Sequence, residues 1–197
     1  MSVIVLIKDK DRFVVGCDDR VCDNIYTDDY YAMPKAKHMD INNEIIIGCC
    51  GNGILLEFLQ KKLNQVSKIN RNIISYEIIP SLIEATKNTP CIDLNGCMAG
   101  ELIIAYKDKA YSIYNNFVIQ EIKDSYALGS GKEVALGSLY TSKKLNISPE
   151  ERIAISITAA GNYINTVSKN AYIGDTAGKN FKKYQAETLN KMKNKQK

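Results

Sequence analysis

Short apolar runs separated by polar turns open the chain and predict β-structure. Residues 2–7 and 12–17 are two such runs, and the charged turn between them is typical of a hairpin. Residues 35–40 and 44–50 predict a second strand pair, with Asn42-Asn43 as its turn. The first 50 residues therefore predict four strands.

The next segments change to helical spacing. Apolar residues recur every three or four positions over 54–66, with lysines opposite, and the helical pattern resumes over 73–87 with an interruption near Pro80. Two more helices are predicted at 132–142 and 148–167. The last begins with Ser148 as cap, Pro149 at the first helical position and Glu151 completing a capping box.

The order of these elements predicts the fold class. A second block of strands, at 101–106, 110–114 and 117–122, separates the two helical blocks. Two β blocks, each followed by its own helices, are typical of an α+β fold with two sheets face to face and helices on both outer surfaces. We expect one domain over residues 1–178, followed by a lysine-rich helix or tail over 179–197.

Composition and charge exclude several classes of function. The 197 residues are 45% apolar, and the longest apolar run, 45–50, is far too short to span a membrane. No basic residue precedes the first apolar run, so we expect no signal peptide and a cytoplasmic protein. The whole chain has a net charge of +4, but residues 179–197 alone carry +6. Residues 1–178, the body of the chain, therefore carry −2 and are slightly acidic. Without a basic stripe on the body we expect no nucleic-acid binding, and we read the tail as solvated.

Cysteine and histidine usage argues against a metal site. The six cysteines contain no C-x2-C pair, and His38 is the sole histidine, so no zinc signature can be assembled. We expect reduced thiols, no metal and no cofactor. A histidine-dependent hydrolase would depend on His38 alone, which indicates that any nucleophile uses another base.

Several segments together resemble a known family. They carry motifs of proteasome β subunits and of HslV, the peptidase of a bacterial ATP-dependent protease, in the family's order and at close to its spacing. Gly-Ser-Gly at 129–131 is a weak motif alone, but the likeness extends over about residues 2–168. The matching pieces are 2–5, 14–20, 35–40, 46–51, 101–114 and 126–131.

The resemblance implies a fold and a chemistry. Its fold is the four-layer αββα sandwich of the N-terminal nucleophile hydrolases, in agreement with the layers argued above. Its nucleophile is the first residue of the mature chain, whose α-amine also takes the proton; an α-amine with a pKa of about 7.7–8.0 is a suitable base. Here Ser2 replaces the family's threonine, and the mechanism requires removal of Met1.

The resemblance also assigns roles to other residues. Asp18 and Lys35 correspond to the family's buried ion pair beside the nucleophile, where the cation favours a neutral amine. Gly48 corresponds to the backbone donor to the oxyanion, and Ser130 to the serine that hydrogen-bonds the amine. Arg20 matches a supporting position near the acid.

Each of these residues also has an ordinary structural interpretation. Lys35 could be a solvated strand charge, Asp18 a turn carboxylate, Gly48 a packing glycine and Ser130 a helix cap. The sequence also departs from the family. At 165–170, where proteasome β subunits carry Arg-Asp and a later serine, it reads Asn-Thr-Val-Ser-Lys-Asn, without the supporting acid. Further departures are Asp19 with Cys22, at the family's substrate groove, and Cys50 near its specificity pocket.

Three functions follow from these observations. The first is a peptidase subunit that uses Ser2 to cleave peptide substrates inside a ring-shaped homo-oligomer, with an ATP-dependent unfoldase as a possible partner. The second is a catalytically silent proteasome-like subunit, which retention of Met1 would favour. The third is an N-terminal nucleophile amidase that acts on a small molecule.

Overall fold

Two five-stranded antiparallel sheets, one separate pair of short strands and four helical segments make up the regular structure in the described part of the chain. The computed structural model describes residues 2–21, 30–31, 36–38, 44–66, 68–87 and 89–184. The strands are β1 (Val3–Asp9), β2 (Arg12–Cys17), β3 (Arg20–Val21), β4 (Tyr30–Tyr31), β5 (Ala36–His38), β6 (Ile45–Gly51), β7 (Gly100–Tyr106), β8 (Lys109–Ile113), β9 (Ile119–Ile122), β10 (Ser125–Gly129), β11 (Tyr172–Asp175) and β12 (Lys182–Lys183). The helices are α1 (Ile54–Leu63), α2 (Arg71–Ile73), a π-helical turn (Ile74–Ile78), α3 (Ile79–Thr86), α4 (Lys132–Ser142) and α5 (Pro149–Tyr163).

The two large sheets have five strands each. The first sheet has the order β10-β1-β2-β11-β12 and the second β5-β6-β7-β8-β9, while β3 and β4 form a separate pair. The predicted hairpin is confirmed, because β1 and β2 pair from Ile4↔Cys17 to Asp9↔Arg12. The meander β7-β8-β9 is also confirmed.

Three hydrophobic clusters define four layers. Val3 and Val5 of β1 face α4 and α5, whereas Ile4 and Leu6 face the second sheet. The outer face of the second sheet packs on the helical segment that runs from α1 to α3. Because both faces of β1 and β6 are buried over residues 3–7 and 45–50, these stretches are continuously apolar and do not alternate with polar residues. The predicted αββα layering is confirmed.

Helix boundaries differ from the predictions at two places. The helix does not break near Pro80, because the preceding π-helical turn, in which the Ile79 N–H donates to the Ile74 carbonyl, places Pro80 in the first turn of α3. The predicted cap of α5 is confirmed, with the Glu151 N–H donating to Ser148 Oγ at 3.1 Å. However, α5 ends at Tyr163 and not near residue 167, since Ile164 is extended.

Five strands were not predicted from the sequence, namely β3, β4, β10, β11 and β12. Strand β10 follows the meander in the chain but pairs with β1 in the first sheet, while β11 pairs with β2 and β12 with β11. Strand β12 lies within the predicted lysine-rich segment, of which residues 185–197 are outside the described residues. None of the helices among the described residues is long and apolar enough to cross a membrane.

We predict that Gly16→Ala destabilises the protein by about 1–3 kcal/mol, because overpacking shifts neighbouring atoms. A Cβ at Gly16 would lie 2.2 Å from Ile153 Cγ2 of α5, a branched side chain that cannot swing away. The free energy of unfolding from denaturant titration measures the effect. Gly137→Ala in α4 is the matched control, because a Cβ there meets nothing within 4 Å and should stabilise by about 0.5–1 kcal/mol. Equal effects at the two positions would contradict the packing described.

Candidate active site

Asp18 lies immediately after β2 and is fully buried. Its Oδ1 accepts the Val3 N–H at 2.9 Å, and its Oδ2 accepts the N–H groups of Arg20 and Ser168, each at 3.1 Å. The Asp18 N–H in turn donates to the Val3 carbonyl at 3.2 Å. A buried carboxylate needs such donors to offset its desolvation. Asp18 therefore connects the start of β1, the end of β2 and the chain after α5.

Ser2 directly precedes β1 and is 1% exposed. Its carbonyl accepts the Ser130 hydroxyl and the Gly131 N–H, both at 3.3 Å. These donors reach Ser2 because β10 pairs with β1, with Gly129 opposite Val3. Gly129 has a φ of +94°, and a Cβ there would lie 2.2 Å from the Ser2 carbonyl oxygen. A side chain at position 129 would therefore prevent this close approach.

The residues that follow α5 return to the site, and we refer to them as the 165–170 segment. Thr166 Oγ1 lies 2.9 Å from Ser130 Oγ. The Arg20 guanidinium donates to the Asn165 carbonyl, and the Ser168 N–H reaches Asp18 as described above. The segment turns back closely over α5, since a Cβ at Gly161 would lie 2.7 Å from the Ser168 carbonyl oxygen.

Gly48 lies in the middle of β6 and faces the first sheet. A Cβ there would lie 2.9 Å from the side chains of both Ile4 and Ile103. The structure thus gives Gly48 a packing reason to be glycine, and its predicted role as oxyanion donor stays a prediction.

A cleft of about 280 Å³ opens beside the Gly129 turn. Cys50 is close to this turn, because its Sγ would lie 2.9 Å from a Cβ at Gly129. Across the cleft, Lys132 Nζ and Glu101 Oε1 are 3.9 Å apart. The cleft is lined by Cys50, Met98, Ala99, Gly100, Glu101, Asn115, Gly129 and Lys132.

The structure brings together three of the five predicted site residues, Ser2, Asp18 and Ser130. Lys35 lies outside the described residues, so its ion pair with Asp18 stays a prediction. The predicted supporting position of Arg20 is consistent with its two contacts to the site. No three His, Cys, Asp or Glu side chains within the described ranges are grouped so that they could hold a metal ion.

Sequence reasoning missed the contributions of Thr166 and Ser168. Both belong to the segment that it identified only as a departure from the family. Ser168 contacts Asp18 through its backbone N–H, a group that carries no sequence signal. Thr166 offers a hydroxyl to Ser130, and the presence of a polar side chain there was the one available signal.

Solved structures share this fold. The chain is similar to Thiobacillus denitrificans BPH, a bacterial proteasome homologue, with a TM-score of 0.74 and 13% identity over 88% of this chain and 96% of that one. The same protein in complex with Epoxomicin gives a TM-score of 0.72 at 14% identity, covering 88% and 97%. HslV from Trypanosoma brucei gives 0.65 at 15% identity, covering 88% and 98%. No family model and no curated protein matches the sequence.

These similarities establish the class of fold. The chain has the mixed α+β, four-layer fold of the proteasome and HslV type, with its two antiparallel sheets enclosed by helices. The fold predicted from the family resemblance is therefore confirmed.

We predict that Asp18→Asn lowers the free energy of unfolding by about 2–4 kcal/mol, because an amide leaves at least one of the three N–H donors facing another donor. Denaturant titration measures this loss. Asp124→Asn is the control, since the Asp124 side chain is 62% exposed and its change should stay within about 0.5 kcal/mol. An Asp18→Asn protein as stable as the control would contradict the anchoring role of this carboxylate.

Proposed function

We propose that this protein is a peptidase subunit of the proteasome β and HslV type, with Ser2 as nucleophile after removal of Met1. The observation that carries the proposal is the meeting of Ser2, Asp18 and Ser130 at the joined ends of β1, β2 and β10 in this fold. N-terminal nucleophile chemistry requires a hydroxyl at the start of β1, with a buried carboxylate and a second serine close to it. Ser2, Asp18 and Ser130 are these three groups in the proposal.

The proposed reaction proceeds in two halves. Ser2 Oγ attacks the peptide carbonyl while its proton passes to the Ser2 α-amine, and a backbone N–H, the role that the resemblance assigns to Gly48, stabilises the oxyanion that forms. The C–N bond then breaks, the leaving amine takes that proton, and an ester on Ser2 remains. A water molecule, deprotonated by the same α-amine, hydrolyses the ester and restores the hydroxyl.

Asp18 and Lys35 support this chemistry in the proposal. A lysine cation beside Ser2 disfavours protonation of the nearby α-amine and so lowers its pKa. Asp18 holds the cation in place, and its own orientation is fixed by the N–H groups of Val3, Arg20 and Ser168. The carboxylate thus acts without rearranging during the reaction.

The proposal includes assembly of identical subunits into a ring that encloses peptide substrates, with an ATP-dependent unfoldase as a possible partner. The presence of a closed ring distinguishes the two candidate functions, because a peptidase of this type encloses its substrates in a chamber, whereas an amidase that acts on small molecules needs no chamber. Native mass spectrometry of the purified protein tests it: a closed oligomer supports the peptidase, and a stable monomer or dimer supports the amidase.

We predict that Ser2→Ala abolishes hydrolysis of fluorogenic peptides, with the rate falling about a thousandfold or more, because the attacking oxygen is lost. Initial rates of the two proteins, each with its intact mass measured, provide the test. The wild-type mass should lack one methionine, since a retained Met1 leaves no α-amine on Ser2.

Ser81→Ala is the matched control, because Ser81 lies in α3, in the helical layer opposite to α4 and α5, and bonds only locally in its described contacts, to the Glu77 carbonyl. Its activity should equal that of the wild type. A wild-type protein that keeps Met1 and cleaves no peptide would favour the silent structural subunit.

The cleft beside Gly129 is proposed to receive a substrate side chain. Its two charged groups, Glu101 and Lys132, are 3.9 Å apart and partly offset each other's charge. Removing either charge leaves the other to select an oppositely charged substrate residue.

We predict that Lys132→Met shifts preference towards basic peptides, and Glu101→Gln towards acidic peptides, by about two- to fivefold in kcat/KM, the range of partly exposed charge pairs. Competition between matched Lys-, Glu- and Gln-containing peptides measures the ratios. Lys143→Met, which removes a lysine that pairs with Asp124 outside the cleft, should leave them unchanged. Unaltered ratios in the two cleft variants would show that the substrate side chain binds elsewhere.

A further inference from the structure

A second buried carboxylate stands next to Asp18. Asp19 is 5% exposed, and the Asn170 amide nitrogen donates to its Oδ2 at 3.0 Å, with Oδ1 at 3.4 Å. Burial, together with a hydrogen bond to the Asp19 carboxylate and its charge, raises the pKa of Tyr172 and keeps this phenol protonated. Two adjacent buried carboxylates repel each other. Such an arrangement persists only where each carboxylate has its own donors.

The amide that binds Asp19 belongs to the 165–170 segment. The Asn170 N–H donates to Ser168 Oγ at 2.9 Å, so the two residues form one local turn. The N–H of Ser168 donates to Asp18 Oδ2. The Asn170 side chain, which binds Asp19, and the Ser168 N–H, which binds Asp18, therefore belong to the same local turn.

The other end of this segment contacts the remaining site residues. Thr166 Oγ1 lies 2.9 Å from Ser130 Oγ, and Ser130 donates to the Ser2 carbonyl at 3.3 Å. A displacement of the 165–170 segment would break two hydrogen bonds together, the one between Ser168 and Asp18 and the one between Thr166 and Ser130. A side-chain anchor at Asn170 prevents such a shift.

We propose that Asp19 and Asn170 form a positioning pair that fixes the 165–170 segment and so holds the Ser168 N–H on Asp18 and the Thr166 hydroxyl on Ser130. The pair itself contacts no reacting atom. It acts through Asp18 and Ser130, and for catalysis it rests on the proposed function of Ser2.

The chain offers a charge-exchange test of this pair. Asn170→Asp places two carboxylates against each other and should release the segment. The double variant Asp19→Asn/Asn170→Asp restores one amide and one carboxylate in reversed order, with the same net charge as the wild type. Asn170→Ala is the milder variant if Asn170→Asp does not fold.

The first readout needs no enzyme activity. Hydrogen–deuterium exchange of the peptide that covers 164–171 should be about tenfold faster in Asn170→Asp, and in Asn170→Ala, and return close to wild type in the double variant. Exchange in α1, which lies in the opposite helical layer, is the internal control and should not change. Wild-type exchange in the single variants, or no recovery in the double variant, would overturn the positioning pair.

The second readout is catalytic. A small misplacement of the catalytic groups lowers the rate of the chemical step more than it weakens substrate binding. We therefore expect kcat for peptide hydrolysis to fall about tenfold or more in Asn170→Asp, with KM nearly unchanged. In the double variant kcat should recover. A loss confined to KM, or a double variant no better than the single one, would overturn the inference. An inactive wild-type protein would instead overturn the proposed function, and the exchange experiment would still decide on the pair.

Discussion

The buried Asp18 carboxylate is the interaction on which the arrangement of the site depends. A charge without access to water is tolerated only when hydrogen-bond donors replace its hydration. Here the donors are the backbone N–H groups of Val3, Arg20 and Ser168, from three separate places in the chain. Strand β1 supplies the first, strand β3 supplies the second, and the 165–170 segment supplies the third. One desolvated charge thereby ties the N-terminal strand to the end of α5.

Close packing of backbone against backbone supports the same region. Gly129 lets the β10 turn pass beside the Ser2 carbonyl, and Gly161 lets the 165–170 segment fold back over α5. At each of these glycines a Cβ would come within 2.7 Å of a carbonyl oxygen or closer. Because backbone atoms cannot move aside as a flexible side chain can, these positions constrain the site more strictly than the surrounding core does.

The site combines features of the proposed family with features of its own. Where proteasome β subunits carry an acid, this chain places the neutral hydroxyl of Thr166 against Ser130. The additional buried acid, Asp19, is bound by Asn170 at the other end of the segment. The buried negative charges of this region, Asp18 and Asp19, therefore follow β2, whereas the 165–170 segment after α5 contains no acidic residue. In the proposed mechanism, the 165–170 segment contributes only neutral groups to the surroundings of Ser2, the Ser168 N–H on Asp18 and the Thr166 hydroxyl on Ser130.

The sequence by itself determined the α+β layers, the hairpin, the meander and the cap of α5, because each depends on local periodicity and turn chemistry. It also pointed to Ser2, Asp18 and Ser130, which the fold brings together, whereas the role of Lys35 rests on the sequence alone. Only the tertiary structure decided that β10 leaves the meander to pair with β1, and that Ser168 returns to Asp18 across 150 positions. The β1–β10 pairing joins backbone to backbone, and Ser168 reaches the Asp18 carboxylate through its backbone N–H. Nearly every residue type carries the same backbone groups, so the side-chain pattern of β10 and of the 165–170 segment could not reveal these contacts.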